Sequence, residues 1–304
     1  MTDPFHPRSP EPKELDAALE RLLTPPSAPP PAPSTVRGLR KTLREERARL
    51  WCAGPVGTPL GAVLTLPRPG RIEMLLGTPL GPADDPVPTG RCLQAALESG
   101  RQTDNHLAQL VHVPEAVGTA EAAKLGGMDW LAELQFLRTA SVPEPATFLD
   151  PSPSLQSNIT WCDCDDLETQ ALHAVLLETY VDAQDCPGLR GCREPEDILI
   201  GHEASGVRHH WMVANIERES IGVLLLAETP ERHLLQVLYV GVVPKFRGKG
   251  LGQQFMAKAN EIAISRKLPL SLHVDRRNTP ALKLYRKFDL KPRESRVAWI
   301  AEIR

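Results

Sequence analysis

The chain has 304 residues, 41% of them hydrophobic and 24% charged, which are ordinary proportions for a soluble globular protein. At that length about two domains of roughly 100–200 residues are expected. A net charge of −3 gives no basic field for nucleic acid or an anionic membrane, so any polyanion must be met by local positive charge.

No apolar run reaches the length of a membrane span. The start Met1–Pro7 lacks the basic and apolar stretches of a secretion signal, so the cytoplasm is the expected location. The cysteines Cys52, Cys92, Cys162, Cys164, Cys186 and Cys192 are too sparse for a disulfide scaffold. Cys162-x-Cys164 and Cys186-x5-Cys192 lack the spacing of zinc pairs, so no metal is expected.

Residues 1–35 hold the run Pro25–Pro33, which is extended and packs no core, so a disordered Pro-rich tail is expected. Leu15, Leu19, Leu22 and Leu23 share one face of a short helix over Glu14–Leu23, and the alternative is a tail whose helix docks. Two further segments follow, 36–145 and 158–304, joined by a proline-rich linker at 146–157.

In the second segment, Asn158–Cys162 reads as a strand. Asp166–Asp182 and Glu194–Ala204 read as helices, with Leu172, Leu176 and Leu177 on one side of the first. Trp211–Asn215, Ile221–Leu226 and Leu234–Val243 read as strands rich in branched residues. Then come a helix Gly250–Arg266, a strand Leu270–Val274, a helix Thr279–Lys287 and a strand Val297–Ile303. This order predicts an α/β domain with a mixed sheet flanked by helices.

The first segment carries matching landmarks in the same order. Trp51 and Gly61 match Trp211 and Gly222, Pro82 matches Pro244, Val111-His112-Val113 matches Leu272-His273-Val274, and Gly127 matches Asp289. Preserved order and spacing indicate an internal duplication.

The strand Leu234–Val243 stops at Pro244, which has no donor to continue a ladder. Arg247-Gly248-Lys249-Gly250-Leu251-Gly252 follows, then an apolar helix through Phe255, Met256, Ala259 and Ile262. A helix N-terminus leaves amides unpaired and carries partial positive charge. Glycines let an anion approach that backbone, and Arg247 and Lys249 add formal charge. A phosphate or pyrophosphate site is therefore expected. The loop lacks the Gly-Lys-Ser/Thr ending of a P-loop and the Gly-x-Gly-x-x-Gly spacing of a dinucleotide fold.

Arg247-x-x-Gly250-x-Gly252 after a Val-x-Pro strand end resembles the acetyl-CoA motif of the GCN5-related N-acetyltransferases (GNAT). Asn278-Thr279-Pro280-Ala281-Leu282-Lys283-Leu284-Tyr285 resembles that family's next motif. The resemblance is clear over 158–304 and faint over 36–145. The whole is similar to tandem GNAT proteins of the mycothiol-synthase-like type, with two mixed, mostly antiparallel domains. One departure is Asp289-Leu290 where the family usually has Gly-Phe.

The resemblance implies that acetyl-CoA lies where the strands Leu234–Val243 and Leu270–Val274 diverge. Val242 and Val243 would pair with the pantetheine and polarise the thioester carbonyl. Arg247, Gly248, Lys249, Gly250, Leu251 and Gly252 would meet the pyrophosphate, with Asn278, Ala281 and Tyr285 also at the cofactor. Tyr285 matches the position of the acid for the departing thiol. The reaction implied is direct attack of a primary amine, of a small molecule or of a protein; a non-catalytic CoA sensor or structural module is the alternative. The base is open. Asp182 and Asp185, in the loop where the acceptor is expected, are candidates both for substrate binding and for the base, His273 and Asp275 are weaker ones, Gln236 and Tyr239 are poor bases, and a water chain is the alternative. In the first segment the corresponding loop is Asp85-Pro86-Val87-Pro88-Thr89-Gly90 and Ala123 stands at the tyrosine position, so no CoA is expected there.

Overall fold

The computed structural model describes residues 5–25, 29, 31–144, 159–164 and 169–304. The linker expected at 146–157 and parts of the proline run lie outside them. The chain divides into two compact units. One is Met1–Ala132 with Arg296–Arg304, and the other is Glu133–Ser295. This division differs from the expected segments 36–145 and 158–304, because the last strand, from Arg296, falls in the first unit and the strand residues from Glu133 fall in the second.

The first unit contains α1 (Leu15–Arg21), α2 (Pro33–Glu45), β1 (Arg49–Ala53), β2 (Gly61–Arg68), β3 (Ile72–Gly77), α3 (Val87–Gly100), β4 (Leu107–His112) and α4 (Val117–Leu125). Strands β1, β2 and β3 pair antiparallel in that order, and β3 pairs parallel with β4. From Val297 to Glu302 the chain's last strand pairs antiparallel with β4. Its apolar face explains that placement, since Trp299, Ala301 and Ile303 are buried in this unit's core beside Leu93, Leu97 and Leu110. Trp299 Nε1 also donates to His112 Nε2 at 3.0 Å.

The residues before the proline run are not a free tail. Arg8 and Cys52 exchange backbone hydrogen bonds of 3.0 and 2.8 Å. Ala18 and Leu19 of α1 are fully buried with Leu50, Leu64 and Leu66. Glu14, also fully buried, pairs with Arg8 and accepts from Gly57 N–H at 3.1 Å. Burial of a leucine contributes roughly 1.5–3 kcal/mol, so Leu19 and the neighbouring buried Leu22 offset much of the ordering entropy of a short helix. The docked helix, the alternative reading, is the one observed among the described residues.

The second unit takes residues from Glu133 of β5 (Asp129–Arg138), then β6 (Ile159–Asp163), α5 (Thr169–Tyr180), α6 (Pro195–Glu203), β7 (Val207–Ile216), β8 (Glu219–Thr229), β9 (Leu234–Val242), α7 (Leu251–Arg266), β10 (Leu270–Asp275), α8 (Thr279–Lys287) and the first part of β11 (Lys291–Glu302). Strands β6 to β9 form an antiparallel meander, β9 pairs parallel with β10, and β10 pairs antiparallel with β5. Leu137 of β5 is buried in this unit's core. The expected elements are present, and β7, β8 and β11 run longer than their apolar cores suggested. Strand, strand, helix, strand, helix recurs as β2-β3-α3-β4-α4 and β8-β9-α7-β10-α8. The matched ends of α4 and α8 both turn left-handed, with φ of +84° at Gly127 and +56° at Asp289. No helix of the described residues is long and apolar enough to cross a membrane.

Candidate active site

The site begins with a divergence of two strands. Parallel pairing of β9 with β10 runs from Leu235–Leu270 to Val237–Leu272 and stops. Beyond it, His273, Val274 and Asp275 pair only with β5, so Leu238–Val242 present an unpaired edge towards β10. A bulge lies where they part: Leu225 faces Tyr239 while Leu226 faces Val237, leaving Leu238 as the extra residue. No residue type in the strand marks it.

The direction of the β9 amides follows from one bond. Val243 N–H donates to Ile221 O at 3.0 Å. In an antiparallel ladder alternate residues face the partner. Gly241 and Tyr239 therefore face β8, while Val240 and Val242 turn their N–H and C=O groups to the open edge. This removes Val243 from the candidate donors, because its amide is already committed; Val242 keeps an outward amide. The opening thus has the geometry to receive an extended chain as an additional strand.

The glycine loop closes one end. After a 3-10 turn at Pro244–Phe246, Gly248 and Gly250 take φ of +75° and +81°, and α7 starts at Leu251. A Cβ at either glycine would meet nothing within 4 Å. The helix N-terminus thus faces open space, with backbone rather than side chains on its surface. That arrangement fits a pyrophosphate. Phe255, Met256, Ala259 and Ala263 bury one face of α7 and hold that end against the sheet. Gly252 packs so closely on α8 that an added Cβ would lie 3.0 Å from Leu284 Cδ2.

The two loop cations differ. Arg247 Nε donates to Val242 O at 2.9 Å and Nη2 to Thr179 O at 2.8 Å. Its guanidinium therefore ties the loop to the ends of β9 and α5, where two carbonyls lack ladder partners; it is not the freely extended phosphate ligand expected. Lys249 is exposed, with Nζ 5.1 Å from the Phe246 ring centroid.

Asn278 caps α8, its Oδ1 accepting from Ala281 N–H at 3.2 Å. Tyr285 follows on the buried face of that helix, 7% exposed. Burial pushes its phenol pKa up, with Asp185 and then Tyr239 adding to the rise. The group stays a neutral hydrogen-bond donor.

The loop after α5 forms a second wall. Asp185 Oδ1 accepts from Asp275 N–H at 2.8 Å, and Cys186 N–H donates to Asp275 Oδ2 at 3.3 Å. Asp275 is fully buried and held by the backbone and guanidinium of Arg277. It anchors this loop to the end of β10 and is unavailable as a base. Asp185 is exposed to solvent, yet desolvation is the first cause raising its carboxyl pKa, ahead of the opposing hydrogen bond from Asp275 N–H. Asp182 differs: its side chain is 82% exposed and its nearest cation is Arg190 at 3.8 Å. Asp185, and not Asp182, is near enough to Tyr285 for its charge to raise the phenol. The His273 ring is tilted by 42° against that of Phe136 with centroids 5.1 Å apart, and His210 faces Glu228 at 3.4 Å.

Three residues gather around Tyr239. Thr179 Oγ1 and Tyr239 Oη are hydrogen-bonded at 2.9 Å. The rings of Tyr180 and His202 lie 5.1 and 6.4 Å from that of Tyr239. Burial raises Tyr239 to about 12, and lowers His202 to about 4 with help from the nearby Arg193 charge.

The chain is similar to known proteins. The Acetyltransferase (GNAT) family profile matches residues 175–290. An uncharacterized N-acetyltransferase of Archaeoglobus fulgidus is 34% identical over 143 residues, which are 44% of this chain and 92% of that relative. The chain belongs to the GNAT acetyltransferase family.

Two solved structures share the fold across nearly the whole acetyltransferase. A GCN5-related N-acetyltransferase from Sphaerobacter thermophilus has 17% identity and a TM-score of 0.50, over 98% of this chain and 95% of that one. A tandem GNAT protein from the clavulanic acid biosynthesis pathway has 16% identity and a TM-score of 0.53, over 96% and 94%.

The first unit of this acetyltransferase carries the same elements with a different loop. Asp85 Oδ1 accepts from Val87 N–H at 3.0 Å, placing a carboxylate at the N-terminus of α3. Gly90 serves packing: a Cβ there would lie 2.9 Å from Leu125 Cβ. Parallel pairing of β3 with β4 continues to Leu75, and β3 ends at Gly77, so only Leu76 and Gly77 extend past it. Ala123, at the position matched to Tyr285, is fully buried.

Proposed function

We propose that this N-acetyltransferase moves an acetyl group from acetyl-CoA to the primary amine of a small molecule, by direct attack, at the second unit alone. The observation that carries this reading is the open edge Leu238–Val242, which leads into the glycines before α7. When bound, acetyl-CoA supplies a thioester whose carbonyl carbon is the electrophile.

The chain's own groups then have separate tasks. Outward backbone N–H groups of β9 stabilise negative charge on the thioester oxygen. Asp185 takes the proton of the incoming ammonium, directly or through water, and its raised pKa brings it nearer to that work than an ordinary carboxylate. Tyr285 donates a hydrogen bond to the departing sulfur. Full proton transfer from it runs uphill, because a phenol raised above its ordinary value of about 10 is a weaker acid than a thiol near 8.5. Gly248, Gly250, Leu251, Gly252 and Lys249 meet the pyrophosphate, and Arg247 shapes their loop. Asn278 and Ala281 set the start of the Tyr285 helix. The free thiols fit a reducing cytoplasm.

The test is thiol release from acetyl-CoA with a broad amine panel, beside CoA binding measured by calorimetry. Thiol release that depends on a small amine is expected. Tight CoA binding with no release from any amine would turn the reading to a sensor, and release with peptide amines alone would turn it to a protein acetyltransferase.

A further inference from the structure

We infer that Thr179 is a positioning residue for acetyl transfer: bonded to Tyr239, it fixes one end of the loop that carries Asp185, while Asp275 fixes the other. The inference rests on the proposed reaction for what Asp185 does, and on the loop's own hydrogen bonds for how it is held.

Thr179 is the next-to-last residue of α5 and is 1% exposed. Its hydroxyl makes two hydrogen bonds, one with Leu176 O at 2.6 Å and one with Tyr239 Oη at 2.9 Å. A hydroxyl has one proton, and a carbonyl can only accept. The Thr179 proton therefore goes to Leu176 O, and Tyr239 is the donor to Thr179 Oγ1. With its proton committed, Tyr239 serves as a tether and not as an acid. The pair lies over Gly241: a Cβ built there would come 2.7 Å from Thr179 Cβ and 2.7 Å from Tyr239 Oη. Glycine at 241 is what lets the helix end and the strand residue meet.

Tyr239 belongs to β9 and Asp275 to β10, the two strands whose pairing ends at Val237–Leu272. At the far end of the loop Asp185 Oδ1 accepts from Asp275 N–H, and Cys186 N–H donates to Asp275 Oδ2. The segment Thr179–Cys186 is thus tied to both strands past the point where they part. Between the ties, Asp182 and Cys186 hold φ of +53° and +43°. A left-handed cysteine is uncommon and persists where its surroundings fix it. Cutting the β9 tie leaves the loop one anchor, and a catalytic group that loses its fixed place loses rate.

A third bond separates this task from cofactor binding. Arg247 Nη2 donates to the backbone carbonyl of Thr179 at 2.8 Å. That tie to the glycine loop uses no side-chain atom of Thr179, so it remains when the hydroxyl is removed.

The experiment uses the full chain. Thr179→Val removes the hydroxyl at nearly constant shape, Tyr239→Phe removes its donor, and Thr179→Ser keeps the hydroxyl. Cys186 reports on the loop, because burial is the first cause raising its thiol to about 12. A looser loop wets the thiol, lowers that value and speeds alkylation. Modification of Cys186 by iodoacetamide is followed by peptide mass spectrometry, CoA binding by calorimetry, and thiol release with whichever amine of the panel the parent turns over. Alkylation should rise about tenfold in Thr179→Val and in Tyr239→Phe, rise no further when the two are combined, and stay at the parent rate in Thr179→Ser. CoA affinity should stay within about twofold of the parent throughout. The kcat should fall about tenfold or more in the first two variants and recover in Thr179→Ser. Parent-like alkylation in both, effects that add when combined, an unchanged kcat, or lost CoA binding, which marks a general folding defect, would each overturn the inference. If no amine releases thiol from the parent, acetyl transfer fails by itself, and alkylation of Cys186 still decides whether the tie holds the loop.

Discussion

Gly250→Ala adds one methyl group at φ +81°, where the added Cβ meets no protein atom within 4 Å. Its effect on folding is therefore backbone strain alone. An L-residue in the left-handed region costs about 1–2 kcal/mol. In a protein of this size each kcal/mol moves the midpoint of thermal unfolding by roughly 2–4 °C. The variant should fold and melt a few degrees lower. Its effect on CoA is larger. A methyl carbon holds a ligand atom about 3.5–4.0 Å away, whereas an amide hydrogen bond needs about 2.9 Å. Losing one hydrogen bond to a charged phosphate removes about 1.5–3 kcal/mol, which is roughly 10- to 150-fold in affinity.

Two companions separate binding from folding. Gly250→Asn tolerates positive φ better, so it should melt closer to the parent and still bind CoA poorly. Gly222→Ala should fail in the opposite way, since its Cβ would lie 2.1 Å from Gly241 O and 2.9 Å from Phe255 Cζ. Thermal unfolding and calorimetric titration with CoA read both quantities. If Gly250→Ala melts lower but binds CoA within about twofold of the parent, the pyrophosphate does not sit at this loop.

Tyr285→Phe should lower kcat by roughly 10²-fold or more with the KM for acetyl-CoA little changed; steady-state kinetics showing an unchanged kcat would remove Tyr285 from the chemistry. Asp185 has a raised pKa, so transfer should fall as pH drops through that value and the carboxylate takes up its proton. Asp185→Asn should be slow and lose that limb of the pH–rate profile, and a wild-type limb retained in the variant would assign it to another group. The same shift has a stability consequence: the folded chain holds more protons at Asp185 than the unfolded chain between the two pKa values, so this contribution declines as pH rises through that window. Leu19→Ala should destabilise the first unit by about 2–5 kcal/mol, because the side chain is fully buried; denaturant unfolding unchanged from the parent would mean that α1 does not dock in solution.

What the sequence revealed depended on whether the signal was local. The glycine loop and the Asn278–Tyr285 helix were legible because each is a short run whose spacing reports one local geometry. Asp289 was legible only as a departure from glycine, and the structure gives it the same left-handed turn as Gly127. The closing strands were not. Val297–Ile303 reads as a strand wherever it pairs, and its residence in the first unit is decided by Trp299, Ala301 and Ile303 finding apolar partners far away in sequence. The bulge at Leu238 depends on register between β8 and β9, which composition does not encode. Arg247 illustrates a subtler limit. Its charge was visible, but two unmatched carbonyls, Val242 O and Thr179 O, decide where that charge goes. Tyr180, Arg193 and His202 belong to no motif, and only the folded loop between α5 and α6 gathers them. Nothing in the sequence separated Asp185 from Asp182; the amide of Asp275 does.

The duplicated fold leads to a last prediction, that one chain binds one CoA. Three independent changes in the first unit act against a second. The carboxylate of Asp85 bonds the amide of Val87, so an anion is already present where a phosphate would bind. Two unit charges of like sign 4 Å apart repel by about 4 kcal/mol at an effective dielectric of 20, which alone weakens binding about a thousandfold. Pro86 and Pro88 remove two amide donors from the same turn. The pairing of β3 with β4 leaves Leu76 and Gly77 past its end, against Leu238–Val242 in the second unit, so too little free edge remains for an extended pantetheine arm. Restoring one of these features would leave the other two in place, and for that reason Asp85→Gly is expected to gain no CoA binding. Calorimetric titration of the parent should give a stoichiometry of one. A second equivalent site, or one that survives Gly250→Ala at full affinity, would show that the first unit has kept a cofactor site of a different geometry.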